Sequence, residues 1–399
     1  NLHSHAFQRA MSGLTETPGP GSDSFWTWRD TMYRVAMAIS PTELEVIATW
    51  LYIEMLEAGF TRVGEFHYLH HDRDGSPFAN PAEMATRITA GAERSGIRLT
   101  LLPVFYAHSD FGGTAPSDGQ RRFINDVDGF ARLWFASKEA IASLDGAVLG
   151  VAPHSLRAVK PHELTQIEEM APDVPIHIHV AEQRREVEGC LAWSGRRPVQ
   201  WLLEGADIDE RWCLVHATHM IDDEVERLAE SGAVAGICPV TEANLGDGIF
   251  AGSRYVHAGG RYGVGSDGNT IIGVAEELRQ LEYSQRLARG ERNVMTRGEP
   301  TGRALYTAAY RGGQQALGIV AAGIATGAPA DLVALDAATA DAADGDRLLN
   351  TWVFGQGVAV DRVWVGGDEV VRDGRHVHRD EAASALSGAI YQSDGRSWC

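Results

Sequence analysis

Two histidines stand almost at the start of the chain, in the order His3-Ser4-His5. On an extended strand, residues at i and i+2 point to the same face, so both imidazoles can reach one metal ion. Two exposed histidines near a terminus would give the same letters, so the pair alone does not establish a metal site. A metal site requires further ligands from elsewhere in the chain.

A second histidine pair ends a later apolar run, Pro175-Ile-His-Ile-His-Val-Ala-Glu182. His179 lies nearer to the end of this run, which favours it as a ligand and favours His177 as a hydrogen-bonded core residue. Glu182 follows three residues after His179, where a carboxyl group can take a proton from an attacking water or give one to a leaving group. An ordinary acid at a helix start is the alternative interpretation of Glu182.

Two further apolar runs end in polar residues, Val215-His216-Ala-Thr-His219 and Gly265-Ser266-Asp267. His216 could act as a ligand, or as a base and oxyanion partner, whereas His219 is predicted to lie in the following loop. Asp267 can bind a metal while it accepts the proton of an attacking water. Each residue alone could be structural, but together with the two histidine pairs they predict a hydrolytic metal site.

These side chains fall at the ends of predicted parallel strands. From about residue 40 to residue 290, short β-branched runs alternate with helical patterns, as in repeated βα units. The predicted strands are Leu2–His5, Thr61–His67, Leu99–Phe105, Ala147–Pro153, Val174–Val180, Trp212–His216, Ala233–Pro239 and Arg261–Asp267. Eight such strands predict an α/β fold, a (β/α)8 TIM-type barrel whose chemistry lies at the carboxyl ends of the strands.

We predict two domains, a barrel over residues 1–320 and part of a small β-sandwich appendage over residues 321–399. The appendage strands are expected at Asp331–Leu335, Val358–Val365 and Glu369–Val371, with Ala340–Gly345 as an acidic connection. A first strand ending in two ligands should begin several residues before Leu2. We therefore expect further residues to precede Asn1 and to contribute to the small domain.

Composition excludes several classes of partner. The 399 residues carry 54 acidic and 35 basic side chains, a net charge of -19, which repels nucleic acid and anionic membrane surfaces. The four cysteines, Cys190, Cys213, Cys238 and Cys399, form no CxxC pair, which argues against a disulfide scaffold or a cysteine zinc site. A cytoplasmic protein fits this composition.

The pattern as a whole resembles a known superfamily. His-x-His on strand one, His-x-x-Glu on strand five, His on strand six and Asp on strand eight resemble the amidohydrolase superfamily and its mononuclear aminohydrolase branch. Longer stretches are similar to a family of bacterial deiminases that act on N-formimino-L-glutamate: Asn1–Arg9, Ser24–Arg29, Glu65–His71, His154–Arg157 and Thr241–Gly248. The similarity runs over nearly the whole chain.

The resemblance implies a role for each matching residue. It implies one Zn²⁺ bound by His3, His5, His179 and Asp267. It implies catalytic acid and base roles for Glu182, His216 and Asp267. It implies substrate-binding roles for Gln8, Arg29, Tyr68, His154 and Arg157. It also implies a homodimer in which Arg29 reaches the neighbouring site, while the ligand set alone would accept Fe²⁺ or Mn²⁺ as well.

The chemistry of the implied substrate agrees with these residues. N-formimino-L-glutamate carries two carboxylates and an amidine-like carbon, and Arg29 and Arg157 can bind carboxylates in a bidentate way. Hydrolysis would release ammonia and N-formyl-L-glutamate. One departure concerns Asp267-Gly268-Asn269, because close relatives commonly continue Ser-His after this aspartate. Asn269 can donate a hydrogen bond but cannot take up a proton, which puts the details of substrate recognition in question.

Two other functions remain open at this point. A deaminase of a purine, pterin or triazine ring would use the same metal centre, with aromatic stacking in place of paired arginines. A truncated homologue could bind metal or a partner without turnover. The cluster of His67, His70 and His71 is not predicted to form a second metal site, because its spacing gives no obvious convergence.

Overall fold

The computed structural model describes residues 1–17, 21, 23–320, 322–337 and 345–392. Its larger part is built on parallel strands. These are β1 Arg62–His67, β2 Arg98–Phe105, β3 Val148–Leu149, β4 Ala152–Pro153, β5 Ile176–Val180, β6 Trp212–His216, β7 Val234–Ile237 and β8 Arg261–Val264. Strand β1 pairs with β2, β2 pairs with β3 and β4, and β5 to β8 pair in chain order, all in parallel.

The two parallel sheets are joined into a closed barrel by short contacts on both sides. Ser4 forms parallel bridges with Glu65 and with Asp267, so residues 1–5 fill the gap between β1 and β8. On the other side, Val151 between β3 and β4 bridges Ile176 at the start of β5. The predicted (β/α)8 barrel is therefore confirmed.

Two predicted strands differ in detail from the structure. The strand predicted at Ala147–Pro153 is divided into β3 and β4, which both pair with β2. Residues 1–5 form bridges and single hydrogen bonds but no continuous ladder, such as the 2.8 Å bond from the amide of Gly64 to the carbonyl of Asn1. Both segments occupy the predicted places in the barrel.

Core packing fixes the first residues in place. Leu2 is fully buried, and its side chain lies against Gly236 of β7 and Gly263 of β8. A Cβ on Gly236 would lie 3.0 Å from Leu2 Cδ1, so only a residue without a side chain leaves this space. The position of Leu2 in turn places His3 and His5 at the carboxyl ends of the strands.

Helices surround the barrel and follow its strands. They are α1 Phe25–Ala38, α2 Pro41–Glu57, α3 Glu83–Ser95, α4 Val127–Ile141, α5 Pro161–Met170, α6 Arg184–Ser194, α7 Pro198–Gly205, α8 Asp222–Ser231, α9 Pro239–Leu245, α10 Gly252–His257, α11 Val274–Arg289 and α12 Thr301–Ala316, with 3₁₀ helices at Ala6–Met11 and Asp118–Gln120. Helix α2 shows why one of them begins where it does. Ser40 and Glu43 each accept a hydrogen bond from the other's amide, and Pro41 occupies the first helical position.

The C-terminal part is an antiparallel sheet with two helices. Its elements are β9 Leu332–Asp336, α13 Gly345–Phe354, β10 Ala359–Val365, β11 Asp368–Arg372, β12 Arg375–His376 and α14 Arg379–Gln392, and the strand order is β12-β11-β10-β9. It is attached to the barrel through Glu57 at the end of α2, which accepts hydrogen bonds from the amide of His376 at 2.9 Å and from Arg379 Nη1 at 2.7 Å. Of the predicted connection Ala340–Gly345, all but Gly345 lies outside the described residues.

Two further observations concern the described ranges only. Within them, each helix is either too short or insufficiently apolar to cross a lipid bilayer. Cys190, Cys213 and Cys238 are buried and carry free thiols.

Candidate active site

Three histidines and one aspartate converge at the carboxyl end of the barrel. The Nε2 atoms of His3 and His179 lie 3.0 Å apart. Oδ1 of Asp267 lies 3.5 Å from Nε2 of His3 and 3.2 Å from Nε2 of His5. The carbonyl of Phe66 lies 2.9 Å from Nδ1 of His5, so this nitrogen carries the proton and Nε2 keeps its lone pair for a ligand.

The electrostatics of these residues suit a divalent cation. Burial lowers the pKa of His3 to about 3 and holds the pKa of His179 well below its ordinary value, so both imidazoles are neutral. Burial alone would raise the pKa of Asp267, but hydrogen bonds with His3 and His5 hold it well below the usual range. Neutral imidazoles and an ionised carboxylate, with ligand nitrogens that converge, are a donor set that fits a metal ion.

The backbone turns sharply where the strands end. His216 and Asp267 have positive φ angles of 68° and 42°, and Ala181 after β5 has φ 51°. Such conformations cost on the order of 1–3 kcal/mol each and persist where the surroundings fix them. The carboxylate of Glu186 does so after β5, because it accepts the amides of Ala181 at 3.0 Å and Glu182 at 3.1 Å.

A group of acid–base residues lies beside the candidate metal ligands. Nε2 of His216 lies 3.7 Å from Oε1 of Glu182 and 3.9 Å from Oδ2 of Asp267. Burial raises the pKa of Glu182 to about 7, so this carboxyl can hold a proton near neutral pH. Burial lowers the pKa of His216, but the carboxylates of Glu182 and Glu242 outweigh it and raise the value to about 10. The arrangement can therefore donate and accept protons next to a metal ion.

Sequence reasoning missed one member of this group. Glu242 in α9 is buried, and its Oε1 lies 3.3 Å from Nδ1 of His216. The motif Thr241–Gly248 contributed to the family resemblance, but none of its residues was assigned a role. An acid just after the predicted strand Ala233–Pro239 was the signal that could have found Glu242, since strand ends carry the chemistry of a barrel.

One pocket opens above these residues and brings the predicted side chains together. Its walls include all five predicted substrate-binding residues, Gln8, Arg29, Tyr68, His154 and Arg157. Its floor includes His5, His179, Glu182, His216 and Asp267. Aromatic side chains form much of the remaining wall: Phe25, Trp28, Tyr33, Tyr106 and Phe123. His3 is fully buried beneath the floor.

Several buried polar atoms of the pocket residues await a partner. Among the described residues, no hydrogen-bond partner is found for Nε of Arg29, Nε of Arg157 or Oε1 of Gln8, although Nε2 of Gln8 donates to the hydroxyl of Tyr68 at 3.0 Å. A buried polar atom without a partner costs roughly 1–3 kcal/mol, so such atoms in a pocket indicate ligand recognition. Two guanidinium groups in the wall of one pocket favour an anionic ligand there.

Arg29 lies in the pocket of its own chain. Its Cζ atom is 4.6 Å from the ring centroid of Trp26 and 5.4 Å from that of Tyr33, which holds the guanidinium at the pocket wall. A contribution of Arg29 to a neighbouring subunit stays a prediction.

Asn269 braces the segment that carries His3 and His5. Its Nδ2 donates to Oγ of Ser4 at 3.2 Å and to the carbonyl of His5 at 3.1 Å, and its Oδ1 accepts from Oγ of Ser266 at 2.6 Å. Its φ of 58° is a conformation that asparagine tolerates better than most residues. The residue therefore ties the His-x-His segment to the end of β8.

Three further histidines, His70, His177 and His219, lie close to backbone carbonyls. Nε2 of His177 lies 2.7 Å from the carbonyl of Ala316, as expected of a hydrogen-bonded core residue. His219 follows β6 in a loop, and its Nε2 lies 2.8 Å from the carbonyl of Asp247. His70 is buried, with Nε2 at 2.9 Å from the carbonyl of Val104, so its contacts are those of a packed side chain.

Comparison with known proteins identifies the family. The sequence model of the amidohydrolase family matches residues 1–370. Formimidoylglutamate deiminase of Pseudomonas aeruginosa is 52% identical over 97% of this chain and 86% of its own length. 8-Oxoguanine deaminase of the same organism is 28% identical over 96% of this chain and 83% of its own. The crystal structure of an amidohydrolase from Brucella melitensis matches with a TM-score of 0.97 and 56% identity, over 98% of this chain and 88% of that one. The chain belongs to the amidohydrolase family of hydrolases.

Proposed function

We propose that the protein hydrolyses N-formimino-L-glutamate to N-formyl-L-glutamate and ammonia, using one zinc ion per subunit. The observation that carries the proposal is the pocket in which the unpaired Nε atoms of Arg29 and Arg157 share a cavity with Glu182, His216 and Asp267. The 52% identity to formimidoylglutamate deiminase of Pseudomonas aeruginosa supports the same substrate.

The pocket matches the polarity of this substrate. Two arginines can bind its carboxylates through charge-assisted, bidentate hydrogen bonds, which a ring substrate without carboxylates would leave unused. Gln8, Tyr68 and His154 supply further polar atoms around the same cavity. The amidine carbon then lies toward the floor, where the acid–base group can reach it.

Each residue at the floor of the pocket has a separate role in the proton transfers. Held by His3, His5, His179 and Asp267, zinc would supply a water whose pKa is lowered from 15.7 to about 7. The second oxygen of Asp267 would accept the first proton of the attacking water, while His216, whose raised pKa keeps it protonated, would hold the water oxygen. Glu182, whose pKa is raised to about 7 by burial, gives a proton to the departing nitrogen. The nitrogen would also take the proton that Asp267 accepted, and the hydroxyl proton would restore Glu182 as the carbonyl forms. The carbon–nitrogen bond then breaks, and ammonia leaves with both protons of the water.

The test is metal analysis combined with an ammonia-release assay. Zinc-loaded protein should release one ammonia per N-formimino-L-glutamate consumed, and NMR should identify N-formyl-L-glutamate as the product. N-formiminoglycine, which lacks the side-chain carboxylate, is the matched control and should react far more slowly. Folded, zinc-loaded protein that releases no ammonia would overturn the proposal and favour a non-catalytic homologue.

A ring deaminase is the second candidate because of the aromatic walls. Five aromatic side chains besides Tyr68 line the pocket and could stack against a heterocycle. 8-Oxoguanine deaminase of Pseudomonas aeruginosa is a relative with this kind of substrate in its name. Turnover of purines, pterins or triazines with no turnover of N-formimino-L-glutamate would support this candidate.

We propose in addition that the enzyme acts as a homodimer in the cytoplasm, with Arg29 close to the neighbouring subunit. Three buried free thiols are consistent with a reducing compartment. Analytical ultracentrifugation of the zinc-loaded protein tests the dimer. A mixture of Arg29→Met and Glu182→Gln chains tests the contribution across subunits, since recovered activity requires that Arg29 serve the partner's site.

A further inference from the structure

Asp247 is a buried carboxyl group close to the active site that has no role in the proposed reaction so far. Its side chain is 5% exposed. One carboxylate oxygen, Oδ1, accepts a hydrogen bond from Nε2 of Gln183, and the other, Oδ2, is buried with no partner in the described part of the chain. The backbone of Asp247 is fixed on both sides. Its amide donates to the backbone carbonyl of Glu242 at 2.9 Å, and its carbonyl accepts from Nε2 of His219 at 2.8 Å.

The carboxyl group lies behind the acid–base residues. Oxygen atoms of Glu182 and Asp247 and a ring nitrogen of His216 all lie within 4.8 Å of one another. Asp247 is absent from the pocket wall, whereas Glu182 and His216 belong to it. Asp247 can therefore act on the reaction only through these two neighbours.

The charges around Asp247 favour a proton in this cluster. The groups that act on it electrostatically are the carboxyls of Glu182, Glu242 and Asp267 and the imidazole of His216. Two buried carboxyls this close do not both ionise readily, because each destabilises the charge of the other. Burial, and next the charge of Glu182, raise the pKa of Asp247 to about 9, in agreement with the geometry.

Asp247 also controls the turn that carries Glu182. Gln183 immediately follows Glu182, and its side chain is tied to Oδ1 of Asp247. On the opposite side, Glu186 holds the amides of Ala181 and Glu182. The turn after β5 is thus fixed from two sides, and one of the two anchors comes from the loop after α9.

We propose that Asp247 is a positioning residue for Glu182: one of its oxygens anchors the turn through Gln183, and the other shares a proton with the Glu182 carboxyl. The inference rests on the proposed hydrolysis. When Glu182 gives its proton to the leaving nitrogen, the carbon–nitrogen bond breaks and ammonia departs. The second proton of the attacking water, released as the carbonyl forms, then returns to the Glu182–Asp247 pair, while the first reaches the nitrogen from Asp267, so the cycle is balanced without another reactant.

The Asp247→Asn variant separates the two roles. Its amide oxygen can still accept from Gln183, but its amide nitrogen cannot take up and release a proton. We expect zinc content and thermal stability like those of the wild type, KM little changed, and kcat lowered roughly 10- to 100-fold, as for other residues that support a catalytic group. The alkaline limb of the kcat profile should become a single-proton transition, because Glu182 then titrates alone and no longer as one of two coupled carboxyls.

Two variants serve as controls. Gln183→Leu removes the anchor alone and should lower kcat without moving the alkaline limb. Asp223→Asn removes a carboxylate from the exposed face of α8 and should leave kcat, KM and the pH profile unchanged. If Asp247→Asn matches the wild type in kcat and pH profile, or if it loses kcat only together with zinc or stability, proton sharing is wrong.

A spectroscopic measurement keeps this inference separate from the proposed function. The infrared spectrum of the zinc-loaded wild type at neutral pH should contain a carboxylic-acid C=O stretch that Asp247→Asn removes and Asp223→Asn retains. The measurement needs no substrate, so it stands even if the wild type fails to release ammonia from N-formimino-L-glutamate. A wild-type spectrum without this band would overturn proton sharing.

Discussion

Oε1 of Glu242 lies 3.3 Å from Nδ1 of His216, and the same oxygen accepts the amide of Cys238 at 2.9 Å. The second contact holds the carboxylate in place at the start of α9. A fixed acceptor at Nδ1 keeps the proton on that nitrogen and turns Nε2 toward Glu182 and Asp267. Glu242 therefore determines that Nε2 is the ring nitrogen of His216 that points toward the reacting groups.

Replacing Glu242 with glutamine should weaken catalysis more than binding. The amide keeps the size of the side chain but loses the charge that stabilises the protonated ring. We expect kcat to fall roughly 10- to 100-fold with KM nearly unchanged, as when other supporting carboxylates are removed. Steady-state ammonia release measures both constants. A rise of KM as large as the fall of kcat would show that Glu242 acts on substrate binding.

Replacing Arg157 with methionine should affect binding first. The side chain keeps its apolar length but loses the charged hydrogen bonds, which contribute roughly 1.5–3 kcal/mol each. KM for N-formimino-L-glutamate should therefore rise at least about 10-fold, with zinc content unchanged. Arg157→Lys keeps the charge but not the planar guanidinium, so its KM should lie between those of the wild type and Arg157→Met. Wild-type kinetics in Arg157→Met would contradict an acidic substrate.

The activity should decline on the alkaline side as Glu182 loses its proton. An acid catalyst works only while it is protonated, and burial raises the pKa of Glu182 to about 7. kcat should therefore be retained below about pH 7 on this limb and fall as the pH rises through that value. Glu182→Gln should lower kcat roughly 100- to 10,000-fold, and its residual activity should lack the limb while zinc stays bound. An alkaline limb that persists in Glu182→Gln belongs to another group.

The barrel and the convergence of polar residues at one of its ends could be predicted because they depend on local patterns. Alternation of apolar runs with helical segments identifies strands, and polar residues at strand ends are then brought together by the barrel itself. This reasoning predicts that His3, His179 and Asp267 share one end of the barrel, and the structure brings them together there. The spacing of residues within each strand is sufficient to predict which side chains lie at its carboxyl end.

The residues that support the site could not be predicted in this way. Asp247 lies near His216 because the loop after α9 reaches the end of β6, where the carbonyl of Asp247 accepts from His219, and no local pattern encodes that contact. Asn269 and Ser4 are separated by almost the whole sequence of the barrel, so their hydrogen bond depends on closure of the barrel. Acids at helix starts and asparagines in turns are common, so the sequence alone does not distinguish the ones that support the site.

The close approach of Gly265 to His3 leads to a last prediction. A Cβ on Gly265 would lie 2.7 Å from the carbonyl oxygen of His3 and 2.8 Å from its amide nitrogen, both backbone atoms that cannot move aside cheaply. Gly265→Ala should therefore displace the His-x-His segment and lower zinc content and kcat, with a loss of stability of about 1–3 kcal/mol.

Gly313 in α12 is the matched control for this substitution. An added Cβ there meets no atom within 4 Å, so Gly313→Ala should bind zinc normally and gain up to about 1 kcal/mol from its better helix propensity. Zinc analysis and thermal unfolding of both variants measure the difference. If Gly265→Ala binds zinc and turns over like Gly313→Ala, residues 1–5 do not lie against β8, and the first pair of ligands must reach the metal by another path.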